Sequence, residues 1–227
     1  MLYLVGTPLG NLNDLSMRQM QTLSQADLVL AEDTRSASHL LQTIKERFNI
    51  DINQNQRLIS YYKEKEFELL PKVIGWLEEN LNLVLISESG MPVISDPGYL
   101  LVQTCIKKSI PFTVIPGPTA FATALVYSGF NPQHFCFFGF LPKKNSQLVQ
   151  SINRIKQIKA VDKEMIFGFY ESPKRINQTL KTISEIYPEA EICVARELTK
   201  KFEEIIRGKA KDLAEKKYKG EITVLIK

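Results

Sequence analysis

Val84-Leu-Ile-Ser-Glu-Ser-Gly-Met-Pro-Val-Ile-Ser-Asp-Pro-Gly98 begins as a short apolar run of strand type, breaks into Ser, Gly and Pro, and restarts at Asp96-Pro97. That pair suits a helix start, because Asp accepts from orphan first-turn N–H groups and Pro has no N–H to satisfy there. The stretch therefore reads as strand, loop and helix, the helix running from 97 to about 108. Loops between a strand's carboxyl end and a helix are where α/β sheets bind small ligands. The chain repeats the pattern. Leu2–Val5 runs into Gly6-Thr-Pro-Leu-Gly-Asn11, and Asp14 or Ser16 then caps a helix through Met17, Met20 and Leu23. Leu28–Ala31 runs into Glu32-Asp-Thr-Arg35, and Thr34 or Ser36 starts a helix with Leu40, Leu41, Ile44 and Phe48 on one face. A strand over 57–61 precedes a charged amphipathic helix bearing Phe67, Leu70, Val73, Ile74 and Leu77, and Phe112–Ile115 is a fifth strand. Such alternation predicts a parallel sheet with helices on both faces.

At Ile115-Pro-Gly-Pro-Thr-Ala120 two prolines and a glycine turn the chain, which places a boundary between an N-terminal domain, 1–116, and a C-terminal domain, 117–227. Beyond it a helix over 120–127 is followed by strands near 135–139, 165–170, 191–195, 203–209 and 221–226. Helices fit at about 147–158, at 173–186 with Ser172 as cap, and at 211–217. The last three strands lie too close together for parallel crossovers, so this half predicts a mixed sheet. The fold class is α/β in two domains.

No apolar run approaches the roughly 18 residues of a membrane span, and Met1-Leu-Tyr-Leu-Val5 enters a strand without a charged leader, so the expectation is a soluble, cytoplasmic protein. Cys105, Cys136 and Cys193 are scattered, and His39 and His134 are the only imidazoles. Three buried thiols are expected, with neither a disulfide framework nor a metal site. Residues 1–139 carry 10 Lys+Arg against 13 Asp+Glu, whereas 140–227 carry 19 against 12. The basic half, with Lys143-Lys144, Lys156, Lys159, Lys163, Lys174-Arg175 and Lys216-Lys217, suits a phosphate backbone. Gly-x-Gly-x-x-Gly, P-loop, zincin and Gly-x-Ser-x-Gly motifs are all absent, which lowers the weight of dinucleotide oxidoreductases, P-loop enzymes, zincins and serine hydrolases.

Leu2-Tyr-Leu-Val-Gly-Thr-Pro-Leu-Gly-Asn-Leu12, Ala31-Glu-Asp-Thr-Arg35, Ile94-Ser-Asp-Pro-Gly-Tyr99, Ile115-Pro-Gly-Pro-Thr-Ala120, Gly139-Phe-Leu-Pro142, Phe169-Tyr-Glu-Ser-Pro173 and Ala195-Arg-Glu-Leu-Thr-Lys200 cover nearly the whole chain in order. Together they resemble the small-subunit ribosomal RNA (cytidine-2′-O)-methyltransferases of the tetrapyrrole-methylase superfamily. The resemblance implies a two-domain homodimer that binds S-adenosylmethionine in a cleft between its domains and methylates a cytidine 2′-hydroxyl in the small ribosomal subunit. Methylation of a tetrapyrrole or other small molecule, and a non-catalytic RNA- or ribosome-binding role, are the competing expectations. Ser87-Glu-Ser-Gly-Met-Pro92 departs from the family's Ser-Asp-Ala-Gly-Thr-Pro, and Tyr61-Tyr62 from its Tyr-His. Members commonly continue past the last strand, where this chain stops at Lys227.

A sulfonium donor needs an in-line nucleophile and positioning, because its thioether leaves neutral. A ribose hydroxyl is a weak acid, so a base or a charge opposite the developing alkoxide assists. The base candidates are Glu32, Asp33, Glu171 and Glu197, and the stabilisers are Arg35, Arg196 and Lys200; pairing of Arg35 with Asp33 or of Arg196 with Glu197 in mere ion pairs is the structural alternative. Donor contacts are expected at Pro8, Leu9, Ser87, Glu88, Gly90, Met91, Thr119, Ala120, Tyr170, Ala195 and Gly220, mainly through backbone groups. No metal ligand is expected.

Overall fold

The computed structural model describes Met1–Lys227, and the chain's contacts divide it into Met1–Pro118 and Thr119–Lys227; the sequence reading draws that line after residue 116. In the first unit β1 (Leu2–Val5), β2 (Leu28–Ala31), β3 (Arg57–Ser60), β4 (Leu83–Leu85) and β5 (Phe112–Ile115) form a parallel sheet in the order β3-β2-β4-β1-β5. Its strands are nearly all Leu, Val and Ile because both faces are covered. Leu2, Leu4, Leu28, Leu30, Leu83 and Leu85 pack with α3 (Lys63–Glu78) and α4 (Tyr99–Lys108). The alternate residues Val5, Val29, Ala31, Val84 and Ile115 pack with α1 (Met17–Gln25) and α2 (Thr34–Phe48). The chain leaves β2 toward β3 and leaves β4 toward β5, in opposite directions along the sheet. Their carboxyl ends therefore flank a crevice of the kind that binds ligands in open α/β sheets.

Of the starts the sequence left open, Ser16 and Thr34 are the ones used, and the start of α4 differs from the sequence reading. Ser16, not Asp14, caps α1, in a reciprocal box with Gln19. α2 starts at Thr34 rather than Ser36, with Asp33 as its cap. α4 starts at Tyr99 after Gly98, so Asp96-Pro97 does not open it. Its first turn is capped instead by the Glu66 carboxylate of α3, which accepts from Gly98 N and Leu100 N, each at 3.0 Å. Glu66 thereby takes a buried place on α3, and Phe67, expected on the packed face, is 79% exposed.

In the second unit β6 (Phe135–Phe140), β7 (Ile166–Glu171), β8 (Glu191–Arg196), β9 (Glu204–Lys209) and β10 (Ile222–Ile226) lie in the order β6-β7-β10-β8-β9. Only β6 and β7 are parallel, and the other pairs are antiparallel. One face packs with α6 (Asn145–Val161), α7 (Ile176–Ile186) and the short α8 (Ala210–Leu213, in place of 211–217). Against the other face lies α5 (Ala120–Ser128), where the Phe121 ring fills the space over Gly168 that a Cβ would need. α7 begins at Ile176 because 172–175 form a turn; Ser172 contributes its carbonyl, accepting from Arg175 N and Ile176 N at 3.0 Å, rather than a side-chain cap. Cys105 and Cys193 are buried, but Cys136 is only half-buried. No helix is long and apolar enough to cross a membrane.

Candidate functional site

Three loops singled out in the sequence are joined at the carboxyl ends of the first sheet. Thr7 and Gly90 form an isolated bridge, with Thr7 N donating to Gly90 O at 2.8 Å and Gly90 N to Thr7 O at 3.1 Å. The Thr7 hydroxyl also donates to Ser87 O at 3.2 Å. Gly6 and Gly117 approach so closely that a Cβ on Gly6 would stand 2.7 Å from Gly117 Cα, which is why neither position admits a side chain. Met91 Sδ accepts from Gly117 N at 3.3 Å. Segments 6–11, 86–98 and 116–118 thus make one cradle. Gln19, absent from the sequence candidates, fastens it: Nε2 donates to Gly6 O at 2.9 Å and to Pro116 O at 3.2 Å. The Ser16-x-x-Gln19 capping-box spacing is the signal for this, since Oε1 is spent on Ser16 N and the amide NH2 is left for the loops.

The middle loop carries backbone strain, as the 197–199 segment does at Glu197 and Thr199. Gly90 has φ 83°, which glycine tolerates, but Val93 at 74° and Ser95 at 69° hold the left-handed region with side chains that disfavour it. Such conformations persist where the surroundings over-determine them, commonly at ligand sites.

The crevice between β2 and β4 holds a cavity of about 160 Å³ lined by Thr7, Pro8, Glu32, Asp33, Ser87 and Glu88 among others. Leu30 pairs with Leu85, so Glu32 and Ser87 leave neighbouring strands side by side. Burial first, and then the negative charges of Asp96, Glu88 and Glu64, push the Glu32 carboxyl up to about 7. Burial likewise pushes Asp96 up to about 6, against a hydrogen bond from Ser87 and with a further push from Glu88. Ser87 also donates to Ser89 O at 3.1 Å, and Leu9 is buried beneath Gly90, whose added Cβ would meet Leu9 Cδ2 at 3.3 Å.

Asp33 is drawn away from proton transfer. It accepts from Arg35 N at 2.7 Å and from the Arg35 guanidinium at 3.1 and 2.7 Å, which holds it down at about 2. Arg35 itself extends into solvent.

In the second unit the expected residues fall into separate groups. Thr119 caps α5 by accepting from Ala122 N at 3.3 Å, and Ala120 is the first helical residue. Glu171 is fully enclosed, accepting from Ser172 N at 2.8 Å and Thr179 Oγ1 at 2.7 Å and pairing with Arg175 at 3.4 Å, so its oxygens are committed and it is unsuited as a base. Arg196 pairs with Glu204 at 2.7 Å and not with Glu197. Glu197 instead accepts from Glu221 N at 3.0 Å and from Lys200 at 3.3 Å, and Lys200 also reaches Glu221 at 3.0 Å. Gly220, at φ 80°, lies against the Glu197 side chain, Ala195 is buried in β8, and the Tyr170 ring sits between Phe137 and Phe140. No group of three His, Cys, Asp or Glu side chains is placed to hold a metal ion.

A parallel five-stranded unit with its loops gathered at the carboxyl ends, followed by a mixed five-stranded unit, is an architecture shared with solved methyltransferases. The methyltransferase CobJ aligns over 99% of this chain and 92% of its own with TM-score 0.69 and 17% identity. The native form of uroporphyrin III C-methyl transferase from Thermus thermophilus aligns over 99% and 96% with TM-score 0.65 and 15% identity. At these identities the likeness is one of fold. Residues 1–214 match the family Tetrapyrrole (Corrin/Porphyrin) Methylases, and the chain belongs to that family of methyltransferases. Proteins named ribosomal RNA small subunit methyltransferase I are similar over 99% of this chain. The one from Hydrogenobaculum sp. (strain Y04AAS1) is 39% identical over 94% of its own length, that from Thermotoga maritima 38% over 97%, and that from Halalkalibacterium halodurans 38% over 75%.

Proposed function

We propose that this protein transfers the methyl group of S-adenosylmethionine to the 2′-hydroxyl of a cytidine in small-subunit ribosomal RNA. The observation that carries the reading is the cradle of three stitched Gly/Pro loops around a carboxyl-lined crevice, in a chain whose relatives bear the name of a ribosomal RNA methyltransferase. The donor fits the chemistry of the cradle. Its sulfonium and amino groups are positive, and Glu88 offers a negative oxygen in the crevice, which leaves Glu32 for the proton. Its polar edges need backbone donors and acceptors, which the 6–11 and 86–98 loops provide without depending on side-chain identity, so Glu88 and Met91 are tolerable departures.

Pro8, Leu9, Ser87, Glu88, Gly90 and Met91 would hold the donor in the first unit, and Thr119, Ala120, Tyr170, Ala195 and Gly220 are the contacts assigned to it in the second. The bound donor supplies an electrophilic methyl whose thioether departs uncharged. Glu32 takes the proton of the attacking hydroxyl, because a carboxyl poised near 7 is half ionised at neutral pH and is a stronger base than an ordinary one. Arg35 is paired with Asp33 on one edge of its guanidinium but is exposed, and its remaining N–H donors suit an RNA phosphate. Arg196 and Lys200, each held by carboxylates, contribute positive charge for the same backbone. Acting on ribosomal subunits fits a cytoplasmic protein, and the family resemblance supports a homodimer, which light scattering tests.

The deciding experiment pairs calorimetry with S-adenosylmethionine and transfer of a labelled methyl to unmodified small subunits. Donor binding with label recovered on a cytidine ribose is the expected result. No heat at millimolar donor, or label only on tetrapyrroles, overturns it.

A further inference from the structure

β6 is one of the two edge strands of the second sheet and ends in a bulge at Gly139, whose φ of 64° swings Phe140 out of the regular register and over Tyr170. Phe140 is 57% exposed, an unusual state for a large aromatic with a fixed support. Its support is a run of packed rings. The Tyr170 ring stands 5.7 Å from it at 64°, Phe137 backs Tyr170 at 4.8 Å, and Phe121 backs Phe137 at 4.9 Å.

The segment that follows is fastened from beneath. Arg175 Nη2 donates to Leu141 O at 2.9 Å and to Pro142 O at 3.0 Å, and Arg175 is itself set by the enclosed Glu171 at 3.4 Å. Glu171 is therefore a positioning residue. Past this clamp Lys143, Lys144 and Lys174 stand exposed, and neither 140–161 nor 172–184 contains a single Asp or Glu. An exposed aromatic face on a fixed support, bordered by lysines without carboxylates, has the chemistry of a surface that stacks one base of an unpaired strand and neutralises its phosphates.

We propose that Phe140, backed by Tyr170 and bordered by Lys143, Lys144 and Lys174, is a stacking platform for an unpaired nucleotide of the RNA substrate. The inference rests on the RNA reading above and adds the means by which the second unit grips a single strand. A duplex offers no base face to such a ring, so the platform selects unpaired RNA.

The test measures fluorescence anisotropy with a short, unpaired, labelled cytidine-containing RNA and with small ribosomal subunits, at low salt, using full-length protein. Phe140→Ala should weaken binding of both probes about ten- to a hundred-fold, and Phe140→Trp should retain it. Heat of S-adenosylmethionine binding should change far less than RNA affinity in either variant, because Tyr170, assigned above to the donor, keeps its Phe137 neighbour; a loss of donor binding as large as the loss of RNA binding would place Phe140 in the donor site and overturn the proposal. Arg175→Met should reproduce part of the loss if the clamp sets the platform. Wild-type protein that binds neither probe defeats the RNA reading and this inference together. Wild-type binding that Phe140→Ala leaves intact defeats the platform alone. A halved mass in light scattering of Phe140→Ala, with RNA affinity per chain preserved, would assign the ring to a contact between two copies of the chain and overturn the proposal.

Discussion

Glu32 and Asp96 are acids in surroundings that disfavour their charged forms, and their elevated affinities for protons have opposite consequences for stability and for chemistry. Both fold-state values, about 7 and about 6, lie above the ordinary 4.5 and 3.8. The folded protein therefore binds these protons more tightly than the unfolded chain, and the stability they confer is full below about pH 4 and is lost as pH rises through 6 to 7. Glu32→Gln removes the charge that is penalised, so its Tm should exceed the wild type's by about 2–4 °C at pH 8 and match it at pH 4. Chemistry runs the other way. Methyl transfer by the wild type should rise with pH and level off above about 7, and Glu32→Gln should lose about 100- to 10,000-fold with the pH dependence flattened. A variant within about threefold of wild type would remove Glu32 as the base. Asp33, which lines the same crevice, offers no such reserve because Arg35 holds it ionised.

At the scale of elements, the loop between β4 and α4 shows why local pattern stops short of the site. Asp-Pro before an apolar run is a sound helix-start signal, yet α4 takes its cap from Glu66, 32 residues earlier in the chain, at 3.0 Å to Gly98 N. No window of sequence contains both partners. The alternation of strands and helices was legible because it is written in short apolar runs and a period of 3.6, whereas the order of the strands within each sheet was not; Gln19 was legible in principle from its capping box; the exchange of Asp96 for Glu66 was not, since it depends on α3 packing beside α4. Ser172 and Glu171 repeat the lesson, as the enclosure of Glu171 arises from Thr179 and Arg175 together. Glu66→Ala should cost about 2–4 kcal/mol in urea unfolding, because two N–H groups and the Tyr61 hydroxyl lose a charged acceptor, whereas Glu66→Gln should cost less. Equal stability of both variants and wild type would contradict the cap. Gly90→Val should abolish donor heat while costing about 1–3 kcal/mol, because it forces a β-branched residue to φ 83° in the loop bridged to Thr7. Normal donor binding by that variant would detach this loop from the donor.

Across the whole molecule the charge is divided. Residues 1–139 carry 13 acidic against 10 basic side chains, and 140–227 carry 12 against 19. The two halves of the proposed reaction make matching demands, since the donor is a cation and the acceptor strand a polyanion. The carboxyl-lined crevice belongs to the acidic part and the lysine-bordered aromatic to the basic part. Separate sites of opposite sign should respond separately to perturbation. Binding of the RNA strand releases counterions, so the logarithm of its affinity falls with the logarithm of salt concentration by about 0.7 for each phosphate neutralised on a single strand. Lys143→Glu with Lys144→Glu should therefore flatten that slope by about 1.4 or more, and should lower affinity most at low salt. Donor heat should be unaltered, because neither lysine belongs to the cradle. Parallel salt lines for variant and wild type would show that these two lysines meet no phosphate, and the charge of the second unit would then be surface solvation alone.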